Sequence, residues 1–333
     1  MALAQAWAQT ASAGPALAPV TAPAAMPARA LTMPIFVLNS LDATVSVIDP
    51  ATWQVKKRIN TGKEPHHLYM TPDEKSVIVA NAAGDSLTFI DPRTAEVQRT
   101  LSGISDPYHL RFSPDMKWLV TAANRLNHID LYRWDGQNLS LAKRISASRT
   151  PSHIWIDSKS TTAYVTLQDS NELVAIDLAS QSLKWRHPTG ATPADLFGTA
   201  DDKQLLVGLT GADAVELFDV SGPAPKAVRR IKTGAGAHAF RAAGDKRHVY
   251  VSNRVANSIH KLDLSTMEVV DQYPAPGGPD CIELSADGRL LLVTSRWARK
   301  LTVIDTETRK IVRQVNVGTS PHGVWTLDHA PRF

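Results

Sequence analysis

The 333-residue chain contains one cysteine, Cys281, so no disulfide can form within it. A lone cysteine also removes every paired-cysteine zinc or iron–sulfur motif, and without C-x-x-C-H there is no covalent c-type haem. No apolar run reaches the roughly 18–20 residues needed to span a bilayer. Dense positive charge is missing as well: 36 Lys and Arg stand against 32 Asp and Glu, a net charge of +4. So mild an excess is not the footprint of a dedicated nucleic-acid binder. G-x-S-x-G, Walker A and H-E-x-x-H are all absent, which leaves the common hydrolase, nucleotide and zincin readings unsupported. The segment GAGAHA at 234–239 fits a loose G-x-G-x-x-A pattern, but it lies between two predicted strands rather than before a helix, and it carries no dinucleotide reading.

What is present falls into two materials. Residues 1–33 hold thirteen Ala, four Pro and a single charge, Arg29. Pro15, Pro19, Pro23 and Pro27 recur every fourth residue and forbid a continuous helix. The stretch ALAQAWAQTASA has the small-residue texture of a signal-peptide cleavage region, without a charged n-region or long apolar core. Two readings stand: an export-signal remnant whose true start lies upstream, or an Ala/Pro-rich disordered tail. Either way, residues 1–33 are expected to lie outside one folded domain spanning 34–333.

From residue 34 the chain repeats itself. Aligned on a leading Pro, the copies read PHHLYM at Pro65, PYHLRF at Pro107, PSHIWI at Pro151, PADLFG at Pro193, AHAFRA at Ala237, PDCIEL at Pro279 and PHGVWT at Pro321. Successive offsets are 42, 44, 42, 44, 42 and 42 residues. Each copy continues with a polar turn such as TPDEK, SPDMK or SADGR, then a β-branched run, then a run ending in Asp (Asp49, Asp91, Asp177, Asp219, Asp263, Asp305), then a fourth run closing near a Gly. Four short alternating strands per period, with no room for crossover helices, predict one propeller blade per repeat.

The two ends settle the blade count. The copy at 35–62 has three strands and no leading Pro motif, whereas the last copy, 321–327, has only the leading strand. Together they make one blade, which predicts an all-β, seven-bladed propeller of four antiparallel strands per blade, closed by the C-terminal strand joining the N-terminal blade.

FVLN at 36–39, VIVAN at 77–81 and VYVSN at 249–253, each followed by a polar turn and a VSVID-like run, resemble YVTN repeats. Over residues 34–328 the chain resembles the YVTN-repeat family of seven-bladed propellers, particularly its YncE-like periplasmic members. Blade 3 departs most, with Arg133 where the repeat wants its Asp. The resemblance implies an exported, periplasmic or secreted propeller, and no single reaction, because such propellers serve as binding platforms, cofactor holders and occasional enzymes.

The two residues after each leading Pro are expected to gather at one mouth of the central channel. Those fourteen positions hold six of the eleven histidines, His66, His67, His109, His153, His238 and His322, together with Tyr108, Asp195, Asp280 and the lone Cys281. Random placement would put about 0.5 histidines there. Imidazole, carboxylate and thiolate converging on one mouth make a candidate copper or zinc ligand set, of which only a subset is expected to bind. If His67, His109 and His153 are the ligands, affinity should fall as pH drops through about 6.5, the free imidazole value. A polar pocket for an organic ligand or haem-type group, and a purely structural role at blade interfaces, stay open beside the metal reading.

Arg125, Arg254 and Arg296 follow the second strands of blades 3, 6 and 7 and are candidates, with Tyr108, for holding a carboxylate or phosphate. The runs Lys56-Lys57-Arg58 and Arg229-Arg230 fall on outermost strands and support nucleic-acid binding only weakly, since aromatic interleaving is absent. Three functions follow. The leading one is a non-catalytic, monomeric binding or scaffold protein that takes a small ligand or a protein partner at the His/Arg-rich mouth. The others are a copper-, zinc- or haem-holding redox propeller, and a lactonase-like hydrolase using Asp195 and Asp280 on a divalent ion.

Overall fold

The computed structural model describes residues 31–332. The export-signal or tail reading falls on residues 1–30, outside the described residues, and on residues 31–33, which belong to the fold. Leu31 packs against an apolar cluster shared by blades 7 and 1. The main-chain N–H groups of Thr32 and Met33 donate to the Asp328 carboxylate at 2.5 and 2.7 Å.

The described residues form twenty-eight strands in seven four-stranded antiparallel sheets. Six sheets run in sequence order, one per repeat, spanning 65–102, 107–146, 151–188, 193–232, 237–274 and 279–316. The seventh is composite: Pro321–Thr326 pairs with Ile35–Asn39, followed by Thr44–Asp49 and Gln54–Asn60. Val37 lies opposite Val324, so the ring closes through main-chain hydrogen bonds between the C-terminal strand and the N-terminal blade. No helix among the described residues is long and apolar enough to cross a membrane.

Short-range chemistry explains each repeat. The Asp that ends the third strand caps the following turn: Asp49 accepts the N–H of Ala51, Asp91 those of Arg93 and Thr94, and Asp305 those of Glu307 and Thr308. In the turn after the first strand a hydroxyl meets the Asp two residues on, as in Thr71–Asp73 at 2.7 Å and Ser285–Asp287 at 2.6 Å. Blade 3 keeps this logic by displacement. Its third strand, His128–Trp134, runs to seven residues, and Asp135 caps the turn in place of the missing Asp. Arg133, at the vacated position, stacks its guanidinium 3.5 Å above the Trp118 ring.

The core lies between blades rather than within them. Ile35, Val37 and Val324 of blade 1 pack with Leu290, Leu292, Leu301 and Val303 of blade 7. Each fully buried aliphatic side chain contributes about 1.5–3 kcal/mol relative to exposure. Both faces of a blade need neighbours, so the ring is the smallest unit that buries them. The repeat Asn and Gly serve the same seam. Asn39 Nδ2 donates to Thr44 and Ser46, and its Oδ1 accepts the N–H of Gly318, where a Cβ would come within 2.6 Å of Asn39 Cβ. The basic runs on the outer strands are tied to carboxylates or carbonyls: Lys56 to Asp49, Lys57 to Glu96, Arg58 to Asp42, Arg230 to Glu216, and Arg229 to the oxygens of Thr266 and Met267.

Candidate functional site

Every blade carries an irregularity at the same place. The pairing register between first and second strands shifts just after the leading Pro (Ala237 in blade 6) in all seven blades. Proline has no N–H to give the ladder, and a bulge re-aims the side chains that follow it. The two residues after it are therefore turned toward the propeller axis, where they separate into two layers.

The second-position residues form one layer. All seven, His67, His109, His153, Asp195, Ala239, Cys281 and Gly323, line an axial cavity of about 120 Å³. Two residues further along the strands, Tyr69, Arg111, Trp155, Phe197, Arg241 and Glu283 line its deeper part. Arg332, in the segment after the last strand, crosses near that end and bonds Glu283 at 2.7 Å. The deeper ring is absent from the sequence-based site. Period-two alternation from the histidines was the signal that pointed to it.

First-position residues form the other layer, which closes the axis on the side of the second-to-third-strand loops. His66 stacks between Tyr108 and His322, with ring centroids 4.0 and 3.6 Å away. His66 Nδ1 lies 3.0 Å from His67 Nδ1. His322 Nδ1 is 2.8 Å from the main-chain oxygen of His66, and His67 Nδ1 is 2.7 Å from that of Tyr108. Each of those nitrogens carries the proton and donates it to the carbonyl, which leaves Nε2 with its lone pair. His322 Nε2 is buried without a hydrogen-bond partner. Among the described residues, two groups bring one ligand atom per residue within 4.8 Å of one another: His66, His67 and His322, and His238, Asp280 and His322. His109 and His153 fall outside both groups, their rings packing 4.5 and 5.0 Å from that of His67.

The six histidines are buried, not displayed at an open mouth. Burial holds His66, His109, His153 and His322 well below the usual imidazole value, lowers His238, and brings His67 to about 4. Proton competition is thus displaced below the value near 6.5 expected from free imidazole. Burial also pushes the Cys281 thiol well up; its Sγ sits 3.5 Å from His322 Nδ1. Desolvation and the Asp280 charge raise the Tyr108 hydroxyl to about 12.

The arginines divide. Arg254 and Arg296 converge on Asp280, at 2.5 and 2.9 Å, and His238 Nδ1 lies 3.0 Å from the same carboxylate. Burial alone would raise Asp280, but His322, Arg254 and His238 outweigh it and hold the carboxylate well below its usual range. Arg125 stands apart, bonded to Glu64 and Asp106. The two aspartates of the hydrolase reading are separated as well. Asp195 accepts the N–H groups of Leu196 and Phe240, and desolvation raises it to about 6. His260 lies outside the cluster, in the third strand of blade 6.

Solved structures reproduce this fold at low identity. A functionally unknown protein from Desulfotomaculum acetoxidans superposes with a TM-score of 0.77 at 16% identity, over 91% of this chain and 100% of that one. A periplasmic gluconolactonase from Pseudomonas aeruginosa gives 0.75 at 18%, over 90% and 99%. Kuenenia stuttgartiensis hydrazine synthase gives 0.65 at 19%, over 78% and 88%. Identities this low speak for the fold alone. No curated protein matches the sequence. The YNCE-like beta-propeller family, however, matches residues 2–332, nearly the whole chain, and with the seven closed blades this establishes that the protein belongs to the YNCE-like beta-propeller family.

Proposed function

We propose that this protein is an exported binding propeller whose axial histidines hold one transition-metal ion, copper before zinc, through His66, His67 and His322. The observation that carries the reading is the pair of carbonyl-oriented imidazoles: His322 and His67 each give Nδ1–H to a main-chain oxygen, and His322 Nε2 is buried without a hydrogen-bond partner, 3.6 Å from Asp280. Metal-ligating histidines are oriented in this way by their outer partners. Two nitrogens on one ion, each at about 2.0–2.1 Å, lie no more than about 4.2 Å apart. One ring nitrogen from each of the three histidines lies within 4.8 Å of the others, close to that limit. The imidazoles are neutral at pH 7, the form a metal requires.

The second group is the weaker candidate. A cation on Asp280 would compete with two guanidinium groups already bonded to it. A set of imidazoles ranks Cu(II) above Zn(II) for a given geometry. The axial cavity of about 120 Å³ is far below the roughly 300–1,000 Å³ of sites for larger organic ligands, which argues against a haem-type group there. Export is supported by the Ala-rich residues 1–33.

Elemental analysis and calorimetric titration with Cu(II) and Zn(II) test the reading. One copper per chain is expected, with binding lost in His322→Ala and His67→Ala and kept in His260→Ala. Equal copper binding by the wild type and the His322 variant would overturn it.

A further inference from the structure

Among the charged side chains that line the axial cavity, two make no ion pair, Arg111 and Asp195. Arg241 and Arg332 are both bonded to Glu283. Asp195 is engaged by two main-chain N–H groups, at 2.8 and 2.9 Å. Arg111 makes no ion pair with any carboxylate of the described residues. It donates one hydrogen bond, to the Ile154 oxygen at 3.2 Å, and its guanidinium lies 4.1 Å over the Trp155 ring. Stacking fixes the plane of the guanidinium and leaves further N–H groups of its fork unused. The indole that supports it fits because residue 198 is glycine: a Cβ there would sit 2.8 Å from Trp155 Cε2. Phe197 continues the apolar wall, its ring centroid 5.1 Å from that of Trp155.

We propose that this cavity binds a short-chain monocarboxylate, with the carboxylate bidentate on Arg111 and the carbon chain against Trp155 and Phe197. Charge and size both select this class. Three cations in the lining (Arg111, Arg241 and Arg332) face two carboxylates (Asp195 and Glu283), so one positive charge is in excess; a monocarboxylate matches it, whereas a phosphate group, at about −1.5 to −2, would exceed it. A volume of about 120 Å³ is somewhat smaller than the roughly 150 Å³ cavity that takes up benzene, so a handful of heavy atoms fits. The ligand's charged contact is Arg111, not the proposed copper ligands, so the proposal stands independently of the metal.

The test uses the full-length protein after chelator treatment, so that a failure here is distinct from a failure of the copper site. Acetate, butanoate and inorganic phosphate are titrated separately, with heat and melting temperature as readouts. Saturable binding of butanoate, tighter than acetate and with phosphate silent, is expected. Arg111→Lys keeps a charge without the fork and should weaken butanoate about tenfold or more. Arg111→Met keeps the stem over Trp155 and should abolish binding. Should the Met variant not fold, the Lys variant carries the test by itself. No saturation by either carboxylate at millimolar concentration, phosphate binding as well as butanoate, or undiminished binding in a folded Arg111 variant would overturn the proposal.

Discussion

His322 Nδ1 lies 2.8 Å from the main-chain oxygen of His66, although 256 residues separate the two in sequence. The contact crosses the seam where the closing strand Pro321–Thr326 meets blade 2. The strand that closes the ring therefore also delivers the histidine common to both three-donor groups.

Truncation after Gly318 should remove ring closure and copper binding together. It deletes the strand that pairs with Ile35–Asn39 and strips the buried Trp325 from the neighbouring core. Light scattering and thermal melting are expected to show aggregation and a lower melting temperature. A truncated protein that stays monomeric with an unchanged melting temperature would contradict the closure.

Asp280 and Arg125 should behave as opposites. Asp280→Asn leaves Arg254 and Arg296 facing each other with no carboxylate between them, in a buried layer. Removing one partner of such a cluster costs about 3–5 kcal/mol. Arg125 is 44% exposed and the Asp106 carboxylate keeps the main-chain N–H groups of residues 125 and 126, so Arg125→Ala should cost no more than about 1 kcal/mol. Urea unfolding of both variants decides the order; similar losses would show that the Asp280 cluster is not a charge-balanced unit.

Stability should fall as the solution is acidified from pH 6.5 toward 4. The six axial histidines have folded values below 6.5, so in that window the unfolded chain binds protons that the folded chain does not. Each imidazole kept neutral adds a slope of about 1.4 kcal/mol per pH unit below 6.5. Asp195, raised to about 6, opposes this with one proton between 3.8 and 6. The net effect favours loss. Urea midpoints at pH 7, 6 and 5 should decline, and His109→Gln should flatten the decline by about one proton's worth. A midpoint constant over that range would refute the neutral-histidine layer.

Copper affinity should stay nearly level between pH 7 and 6. With His67 unprotonated down to about 4 and His66 and His322 also held low, binding displaces few protons in that range. Calorimetry in buffers of different ionisation enthalpy should therefore report almost no proton release at pH 6.5. Release of two or more protons per copper would mean that the imidazoles are protonated before the metal arrives.

The architecture was legible because its determinants are local. Asp49, Asp305 and their equivalents fix turns through hydrogen bonds two or three residues long, and Thr71–Asp73 contacts span two. Such chemistry recurs with the 42–44-residue period and can be read by comparing the chain with itself. The incomplete copies at either end, 35–62 and 321–327, likewise carried the closure in plain sequence. Blade 3 shows the limit even there: Arg133 marked a departure, but the transfer of the turn to Asp135 appears only in the hydrogen bonds.

The sequence by itself determined the repeat, the closure and the gathering of histidines near the axis. Only the tertiary structure decided which side of each bulge a residue faces, and so divided the second-position layer around the cavity from the first-position layer of His66, His238, Asp280 and His322. It also drew Arg254 and Arg296 onto Asp280, left Arg125 with Glu64 and Asp106, and placed Arg111 in the cavity without an ion-pair contact. The reason is geometric. These residues come from different strands and loops, 16 to 256 positions apart in sequence, and their distances depend on how the strands and blades are oriented about a common axis, which no short-range pattern encodes.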